Sequence, residues 1–293
     1  MDVLILLRKS QCPRYMHSPA VPFPTSITEH IRRTWARKRR SLSRYCACKV
    51  GRTTWKSYKG GCYENVWYGL DNPHVLPFYG FKFGIGFEEF RNTIPGMVSP
   101  FCENGTVMSY MESQVRNGTD PTGLRSTMIA GIAQGLRYLH NNNVVHGDLK
   151  PANVLIGDNG QPLLADFGLS RILGVRGFTL SLQAGSTAYT APEILWSGQG
   201  SVINQVDTRS DIYSLAMTIW EIYARKPPFE RTLPMTIVWK VAMDPEHHRP
   251  PRVGDIEEEC WDLLERCWAH EADERPIIDN VVPFFVAVNE GEA

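Results

Sequence analysis

Two short segments near the middle of the chain concentrate polar side chains at a fixed spacing. Residues 145–156 read Val-His-Gly-Asp-Leu-Lys-Pro-Ala-Asn-Val-Leu-Ile, and residues 165–169 read Ala-Asp-Phe-Gly-Leu. A single Asp in either segment is explained equally well as a solvated surface residue. The whole set is not, because a motif gains specificity with every position that matches. The two segments therefore indicate one functional site, and they limit the fold to those that can present it.

Helical periodicity lies on both sides of these segments. Apolar residues within 124–139 share one face and predict a helix that ends near His140. A second long helix is predicted over residues 212–223, and Pro227 with its neighbouring proline ends it. Residues 261–268 show the same spacing and predict a third helix.

Short stretches typical of β-strands precede the helical part of the chain. They are residues 45–50, 75–83 and 96–101. Strands that come first and helices that come later favour an α+β class, in which a small sheet-bearing lobe precedes a helical one. With 43% apolar and 21% charged residues, the composition is that of an ordinary globular protein.

The cysteines and the hydropathy of the sequence predict the cellular compartment of the protein. Its 7 cysteines form no Cys-x-x-Cys pair, and free thiols in a reducing compartment explain them most simply. The apolar run at residues 3–7 is too short to span a membrane. We therefore expect an intracellular, cytoplasmic protein that has no membrane partner and is not a nucleic-acid binder.

The net charge of zero conceals an asymmetry between the two ends of the chain. Residues 1–60 hold 14 Lys and Arg against Asp2 and Glu29, which gives +12, and residues 61–293 therefore carry −12. The basic residues are densest in the run 32–40. Such a run is typical of a nuclear-targeting or acidic-surface-binding segment, but also of a solvated basic tail without a partner.

The two polar segments resemble the catalytic motifs of eukaryotic protein kinases, H-R-D-L-x-x-x-N followed by D-F-G. Phosphoryl transfer needs a carboxylate that orients the attacking hydroxyl, and a metal that neutralises phosphate oxygens. The resemblance makes Asp148 the catalytic base and lets Lys150 steady the γ-phosphate of ATP. Asn153 and Asp166 would hold Mg²⁺. Lys at position 150 is the serine/threonine type of this loop.

Residues farther along agree with the resemblance in order and kind. Residues 185–193, Gly-Ser-Thr-Ala-Tyr-Thr-Ala-Pro-Glu, look like the end of an activation segment, in which Ser186 would contact the catalytic Asp. Asp211 resembles the buried Asp that braces the catalytic loop. Arg275 would pair with Glu193, and its surroundings resemble the tyrosine-kinase-like (TKL) branch.

Upstream residues resemble the strand and hinge that contact adenine. Residues 73–80 are similar to a TKL strand motif, and residues 97–105 look like the hinge with Ser99 as gatekeeper. Adenine would then meet the carbonyl of Pro100 and the backbone N–H of Cys102. Leu155 is also assigned to the nucleotide site by this resemblance.

The pattern is broken where the phosphates of ATP would bind. Residues 1–50 contain no glycine, although a Gly-rich loop should precede the ATP-contacting lysine. Without glycine, backbone N–H groups cannot easily approach the phosphates. Losing two charge-assisted hydrogen bonds of ~1.5–3 kcal/mol each would weaken nucleotide binding by roughly 10²–10⁴.

Two further positions depart from the family pattern. Ala47-Cys-Lys49 resembles V-A-I-K and nominates Ala47 and Lys49 as nucleotide-binding residues, while Lys49 as a surface residue stays an alternative. Glu64 could pair with Lys49 only if the alignment slips by one residue. Gly147 stands where the family has an Arg that receives an activation-loop phosphate.

The sequence thus predicts a bilobal protein kinase fold with the ATP cleft between its lobes. Residues 1–45 form a basic, partly disordered segment, 46–98 a degenerate N-lobe, and 99–290 the hinge and C-lobe. The predicted function is ATP- and Mg²⁺-dependent phosphorylation of Ser or Thr on protein substrates. The alternative is a pseudokinase, a binding or scaffold module without phosphoryl transfer. A third reading is that residues 1–45 are not the natural N-terminus, and the oligomeric state is not predicted.

Overall fold

A computed structural model describes residues 3–6, 69–82, 96–167, 186–195, 206–244 and 249–291. The chain divides into two units. The first comprises residues 1–69 and 77–101, and the second comprises residues 70–76 and 102–293. Predicted positions that fall on residues 7–68, among them the strand at 45–50, lie outside the described residues. The predicted domain boundaries stay predictions.

The described part of the first unit contains a three-stranded antiparallel sheet in the order β1-β3-β2. Its strands are β1 (Val3–Leu6), β2 (Gly80–Lys82) and β3 (Gly96–Pro100). Strand β3 confirms the predicted strand over residues 96–101. Of the strand predicted over residues 75–83, only Gly80–Lys82 joins this sheet, because Val75 and Leu76 pair with Leu164 instead and Pro77 has no N–H to donate; residue 83 lies outside the described residues.

Strand β1 was not predicted from the sequence. Residues 1–45 were expected to lie outside the kinase-like lobes, whereas β1 pairs with β3 in a register that sets Leu4 against Ser99. The apolar run at residues 3–7 does not indicate which distant strand it would pair with. The rest of the 1–45 segment lies outside the described residues.

The second unit is mainly helical. Its described α-helices are α1 (Val107–Arg116), α2 (Pro121–Asn141), α3 (Pro192–Leu195), α4 (Thr208–Ala224), α5 (Pro234–Met243), α6 (Glu258–Cys267) and α7 (Ile278–Gly291). Short 3₁₀ turns cover Pro151–Asn153, Thr187–Tyr189 and Ala272–Glu274. The α+β class and the three predicted helices are confirmed. No described helix combines the length and apolar character that a membrane span would need.

Helix α2 supports the two polar segments. The Asp120 side chain caps its first turn by accepting from Gly123 N at 3.3 Å. Two glycines let the helix backbone approach its neighbours closely. A Cβ at position 131 would lie 2.5 Å from Pro162 Cγ, and one at position 135 would lie 2.6 Å from the His74 carbonyl oxygen. This contact explains why residues 70–76 belong to the second unit.

Helix α4 lies in the core of the second unit. Twelve of its seventeen residues are buried, on all sides of the helix, as expected for a helix enclosed by others. The Asp207 carboxylate caps its start by accepting from Arg209 N at 2.9 Å and Ser210 N at 3.1 Å. It ends at Arg225, which has a left-handed φ of 54°, just before the two prolines that predicted its end.

A hairpin of β4 (Val154–Ile156) and β5 (Pro162–Leu164) connects the two polar segments. The strands are antiparallel, with Val154 opposite Leu164. Because the first segment leads into β4 and the second leaves β5, their polar residues lie at the same end of the hairpin. The hairpin thereby brings together residues that are about twenty positions apart in the sequence.

Candidate active site

The backbone of the first polar segment is held by a buried carboxylate on α4. Asp211 is fully buried and accepts from the backbone N–H groups of His146 at 2.7 Å and Gly147 at 2.8 Å. These contacts confirm the bracing role predicted for Asp211. Gly147 has a φ of 77°, a left-handed conformation that glycine adopts with little strain.

A third donor to Asp211 was not predicted from the sequence. The ring Nε2 of His140, at the end of α2, lies 2.9 Å from Asp211 Oδ2, the oxygen that also accepts from His146 N. The His140 side chain is also buried, with 6% exposed. The sequence offered no local signal for this pair, since 71 positions separate the two residues. The contact ties α2 and α4 to the same point below the loop.

Asp148 lies at the centre of a network of polar side chains. Its Oδ2 accepts from Lys150 Nζ at 2.6 Å and from Asn153 Nδ2 at 3.0 Å. The Asn153 amide also donates to the Asp148 carbonyl at 2.7 Å, which fixes the rotamer of Asn153. The carboxylate remains one-third exposed. It is therefore held in place and still open to a reactant.

Lys150 connects this carboxylate with the segment that follows residue 185. Its Nζ donates to the Ser186 hydroxyl at 2.7 Å, in addition to Asp148. The contact expected between Ser186 and Asp148 is thus made through Lys150. Only 15% of the Lys150 side chain is exposed, so its ammonium is confined between the two partners.

His146 joins the first polar segment to the second. Its ring packs edge-on against Phe167, with ring centroids 6.1 Å apart. Burial lowers the pKa of His146, although the nearby carboxylates of Asp211 and Asp148 act in the opposite direction. The neutral ring accepts from Asp148 N through Nδ1 at 3.4 Å. The two segments are therefore packed against each other and not merely adjacent.

The residues expected to hold a metal come from both segments. Ala165 N donates to the Asn153 carbonyl at 2.9 Å, which fixes the start of the second segment against the first. Asp166 follows with a left-handed φ of 56°. The described residues contain no cluster of three or more His, Cys, Asp or Glu side chains suited to a metal. An Asn and an Asp together fit Mg²⁺ instead, which prefers oxygen ligands and takes the others from phosphate and water.

A buried ion pair holds the end of the activation segment. Arg275 donates to both carboxylate oxygens of Glu193 at 2.8 Å each. Its remaining N–H groups donate to backbone carbonyls of Ala269, Arg209 and His270 at 2.8–3.1 Å. All five guanidinium donors are thus used, and the predicted pair is confirmed.

Helix α4 supports the same segment through a tyrosine. The Tyr189 hydroxyl donates to the Glu221 carboxylate, and Ser214 Oγ donates to the Tyr189 carbonyl at 2.8 Å. Burial raises the pKa of Tyr189 and of Glu221. The core helix therefore positions residues 186–193 as well as the catalytic loop.

The structure describes only part of the predicted nucleotide site. Pro100 ends β3 in the first unit, beside the buried Ser99. Cys102 is buried in the second unit, and burial together with the nearby Asp158 raises its pKa to about 11. Leu155 lies in β4. Ala47, Lys49 and Glu64 lie outside the described residues.

Comparison with known proteins identifies the family. Residues 73–284 match the model of the protein kinase domain, which covers more than half of the chain. The chain belongs to the protein kinase domain family. Members of this family transfer phosphate from ATP with the help of a divalent metal.

Several relatives are named serine/threonine-protein kinases, and another, 31% identical over 191 residues, is tyrosine-protein kinase Abl of Drosophila melanogaster, over 63% of the chain and 11% of that protein. The chain is 33% identical over 182 residues to serine/threonine-protein kinase dst4 of Dictyostelium discoideum. The matched region covers 61% of the chain and 36% of that protein. It is 33% identical over 200 residues to receptor-interacting serine/threonine-protein kinase 2 of Bos taurus, over 62% of the chain and 35% of that protein. Serine/threonine-protein kinase STY46 of Arabidopsis thaliana is 28% identical over 186 residues, 64% of the chain and 30% of that protein. The matched part of the chain spans about a third of the length of these three serine/threonine-protein kinases.

Proposed function

We propose that the chain is a protein serine/threonine kinase that transfers the γ-phosphate of Mg²⁺-bound ATP to protein substrates. The observation that carries this proposal is the Asp148 carboxylate, which Lys150 and Asn153 hold through one oxygen while a third of it remains exposed. Membership of the protein kinase domain family and the names of the relatives support it.

Asp148 has the properties of the base. Lys150 and Asn153 both bond Oδ2, and no partner for Oδ1 is found in the described part of the chain. Oδ1 is thus the atom that would accept a hydrogen bond from a substrate hydroxyl and then its proton. The bonded Oδ2 fixes the direction in which Oδ1 points, which is the orientation that phosphoryl transfer requires.

Lys150 favours a Ser or Thr acceptor over Tyr. Its ammonium bridges Asp148 and Ser186, the arrangement that the serine/threonine type of catalytic loop predicts. The positive charge next to the base would stabilise the negative charge that develops on the transferred phosphate.

Asn153 and Asp166 would hold the metal. Asn153 is oriented by its two bonds to Asp148, and the β4–β5 hairpin brings Asp166 to the same end. When bound, Mg²⁺ would neutralise the phosphate oxygens and bridge them to the protein. The proposal also includes the nucleotide-binding residues predicted from the sequence. Adenine would contact Pro100 and Cys102, and Leu155, Ala47 and Lys49 would form other parts of the ATP site.

The replacement Asp148→Asn tests the function. An amide cannot accept the proton, so phosphate transfer from Mg·ATP to a serine peptide should fall by about 10²–10⁴. Folding should be unchanged, because Asn keeps an acceptor for Lys150. Asp279→Asn, an exposed Asp on α7, serves as the matched control and should retain full activity. Equal activity of Asp148→Asn and wild type would contradict the proposal, and an inactive but Mg·ATP-binding wild type would favour the pseudokinase alternative.

We further propose an intracellular, cytoplasmic location. Cys102, Cys260 and Cys267 are buried free thiols, which supports a reducing compartment. The basic run 32–40, which is typical of a nuclear-targeting segment, lies outside the described residues.

A further inference from the structure

The exposed large apolar side chains of the described residues are concentrated on one helix. Five such side chains are found there, and four of them lie in α5 or at its N-cap. They are Leu233 at 73%, Met235 at 67%, Trp239 at 60% and Met243 at 42%. Isolated exposed apolar residues are ordinary, but a cluster of this kind marks an interaction site. These four residues are called the α5 surface below.

The α5 surface is a ridge and not a groove. Met235, Trp239 and Met243 follow one another at intervals of four, so they form a stripe along the helix. Ile237 and Val241 on the opposite face are buried, which fixes the orientation of α5. The first three members of the surface are 60–73% exposed, so their side chains stand out from the protein. Such a ridge can insert into a soft surface that has no matching pocket.

The residue types of the α5 surface are those of helices that lie at a membrane interface. Trp is enriched where lipid headgroups meet acyl chains, because its ring is apolar and its indole N–H is polar. Interfacial helices present Trp and Leu to the lipid and carry Lys or Arg beside them. Lys240 has this position in α5, since it lies about 100° around the helix from Trp239 and is partly exposed.

The charge around the α5 surface is positive, unlike that of the rest of residues 61–293. Residues 225–244 contain Arg225, Lys226, Arg231 and Lys240 against Glu230 and Asp244. This is an excess of +2, and since residues 61–293 carry −12 in all, the remainder of that region carries −14. An anionic lipid surface would therefore attract residues 225–244 and repel the remainder, which favours contact through α5.

The basic run 32–40 points independently to the same kind of partner. It holds six Lys or Arg among nine residues, and its structure lies outside the described residues. Clusters of about four to eight basic residues are typical of segments that bind anionic lipids. Stable attachment to a membrane generally takes two signals, such as an apolar anchor and a polybasic segment. The chain contains one of each.

The area of the α5 surface disfavours a second copy of the chain as its partner. If a fully exposed large side chain presents about 150–250 Å², the four residues together present roughly 400–600 Å². Stable dimers of identical subunits bury about 2,000 Å² or more in total, or about 1,000 Å² on each subunit. The α5 surface is smaller than this, whereas insertion into lipid sets no such minimum area.

We propose that the α5 surface docks the protein on an anionic lipid bilayer. The apolar stripe inserts between the headgroups, and Arg231 and Lys240 lie beside their phosphate or carboxylate groups. The expectation that the chain has no membrane partner rested on the lack of a spanning segment, which peripheral docking does not require. The docking does not depend on the proposed kinase function, so either can fail without the other.

Vesicle sedimentation tests the docking without relying on catalysis. The full chain is sedimented with vesicles of phosphatidylcholine alone and with vesicles that also contain phosphatidylserine. Wild type should bind the vesicles that contain phosphatidylserine and bind the neutral vesicles at least tenfold more weakly, and added salt should reduce the difference. Equal binding to the two kinds of vesicle, or binding to neither, would overturn the proposal.

Variants of the α5 surface show whether it makes the contact. Met235→Ser combined with Trp239→Ser should lower the partition coefficient about tenfold or more, because these side chains supply the inserted apolar area. Ile277→Ser, at an equally exposed apolar residue elsewhere, is the control and should leave it unchanged. Arg231→Gln and Lys240→Gln should each lower it about fivefold. A double Ser variant that is folded by circular dichroism and binds as tightly as wild type would overturn the proposal.

Fluorescence quenching identifies the inserted side chain even if the double Ser variant does not fold. Vesicles with brominated acyl chains quench a Trp that enters the bilayer. Wild type should be quenched, and Trp239→Phe, which keeps an apolar ring, should still sediment with the vesicles but lose most of the quenching. Unchanged quenching in Trp239→Phe would show that another of the 8 Trp residues enters the lipid, and it would overturn the proposal.

Two other occupants would be revealed by the double Ser variant. A dimer that light scattering detects in wild type and not in this variant, without vesicle binding, would identify a second copy and overturn the proposal. A labelled peptide in which Leu and Phe are flanked by Glu tests for an acidic protein partner. Anisotropy that shows binding of this peptide to wild type and not to the variant, again without vesicle binding, would overturn the proposal as well.

Discussion

Two buried charges support the two halves of the active site, and they do so in opposite ways. Asp211 gathers donors, since it accepts from His140 Nε2 and from the backbone N–H groups of His146 and Gly147. Arg275 gathers acceptors, since its five donors bond both oxygens of Glu193 and three backbone carbonyls. Both side chains are fully or nearly fully buried. Each is compensated by polar partners, as a buried charge must be.

The partners of each charge show what it does for the site. Two of the donors to Asp211, His146 and Gly147, immediately precede Asp148, so Asp211 sets the position of the carboxylate proposed as the base. Arg275 holds the last residue of the activation segment, Glu193, to the loop between α6 and α7. Its ring contact with Tyr213, at 5.2 Å, adds a further tie to α4. The comparison suggests that Asp211 governs activity and Arg275 governs stability.

Arg275→Ala should give the largest loss of stability. It removes both Arg275 hydrogen bonds to the Glu193 carboxylate and the donor of three backbone carbonyls, at a cost of about 3–5 kcal/mol. Urea denaturation measures the free energy of unfolding. The control is Arg252→Ala, which breaks an equally close but exposed pair with Glu258 and should cost less than about 1 kcal/mol. Similar losses in both variants would show that burial does not distinguish the two pairs.

Asp211→Asn should lower the stability less than Arg275→Ala does, and it should lower the activity more. An amide has one acceptor oxygen for three donors, and the lost bonds to a charged group amount to about 2–3 kcal/mol. Displacement of Asp148 should lower kcat by on the order of 10²-fold. Asp207→Asn, at the N-cap of the same helix, is the control and should change neither quantity much, because Asn caps a helix as well as Asp. If Arg275→Ala lowers the kcat of the folded fraction as strongly, the division of roles is wrong.

Gly147→Ala should produce a smaller effect at the same place. The left-handed φ of 77° penalises any side chain with a Cβ by about 1–2 kcal/mol. Gly254→Ala is the control, because a Cβ there meets no atom within 4 Å and the backbone is not left-handed. Thermal unfolding of both variants measures the difference. A Gly147→Ala protein as stable as the Gly254→Ala protein would show that the loop tolerates other residues.

The catalytic centre could be predicted from the sequence because its signals are local or carried by spacing. The polar residues of 145–166 lie within about twenty positions, and helix periodicity marked α2 and α4 on either side. Resemblance to kinases supplied the long-range pair of Arg275 and Glu193. The His140 contact to Asp211 could not be read from the sequence, since a His at the end of an amphipathic helix has many uses. The pairing of β1 with β3 was not predicted either, because the apolar run at residues 3–7 does not indicate which strand it pairs with.

The predictions for the phosphate-binding part of the nucleotide site remain predictions. Lys49 and its proposed partner Glu64 lie outside the described residues, and the missing glycines still predict weak nucleotide binding. Helix α5 gives the opposite lesson. Met235, Trp239 and Met243 look like an ordinary buried helix face in the sequence, and only the structure shows that they are exposed.

Metal-dependent binding of ATP tests most directly whether the chain can bind Mg·ATP, the first requirement of the proposed phosphoryl transfer, despite the missing Gly-rich loop. Because weak binding is expected, several millimolar Mg·ATP is only a few times Kd, which stabilises the folded state by about 1 kcal/mol and should raise the Tm by about 2 °C. ATP with a chelator should raise it much less, because the Asp166 carboxylate repels phosphate without the metal. Asp166→Ala should remove the difference between the two conditions. An unchanged Tm of the folded wild type at several millimolar Mg·ATP would contradict the account.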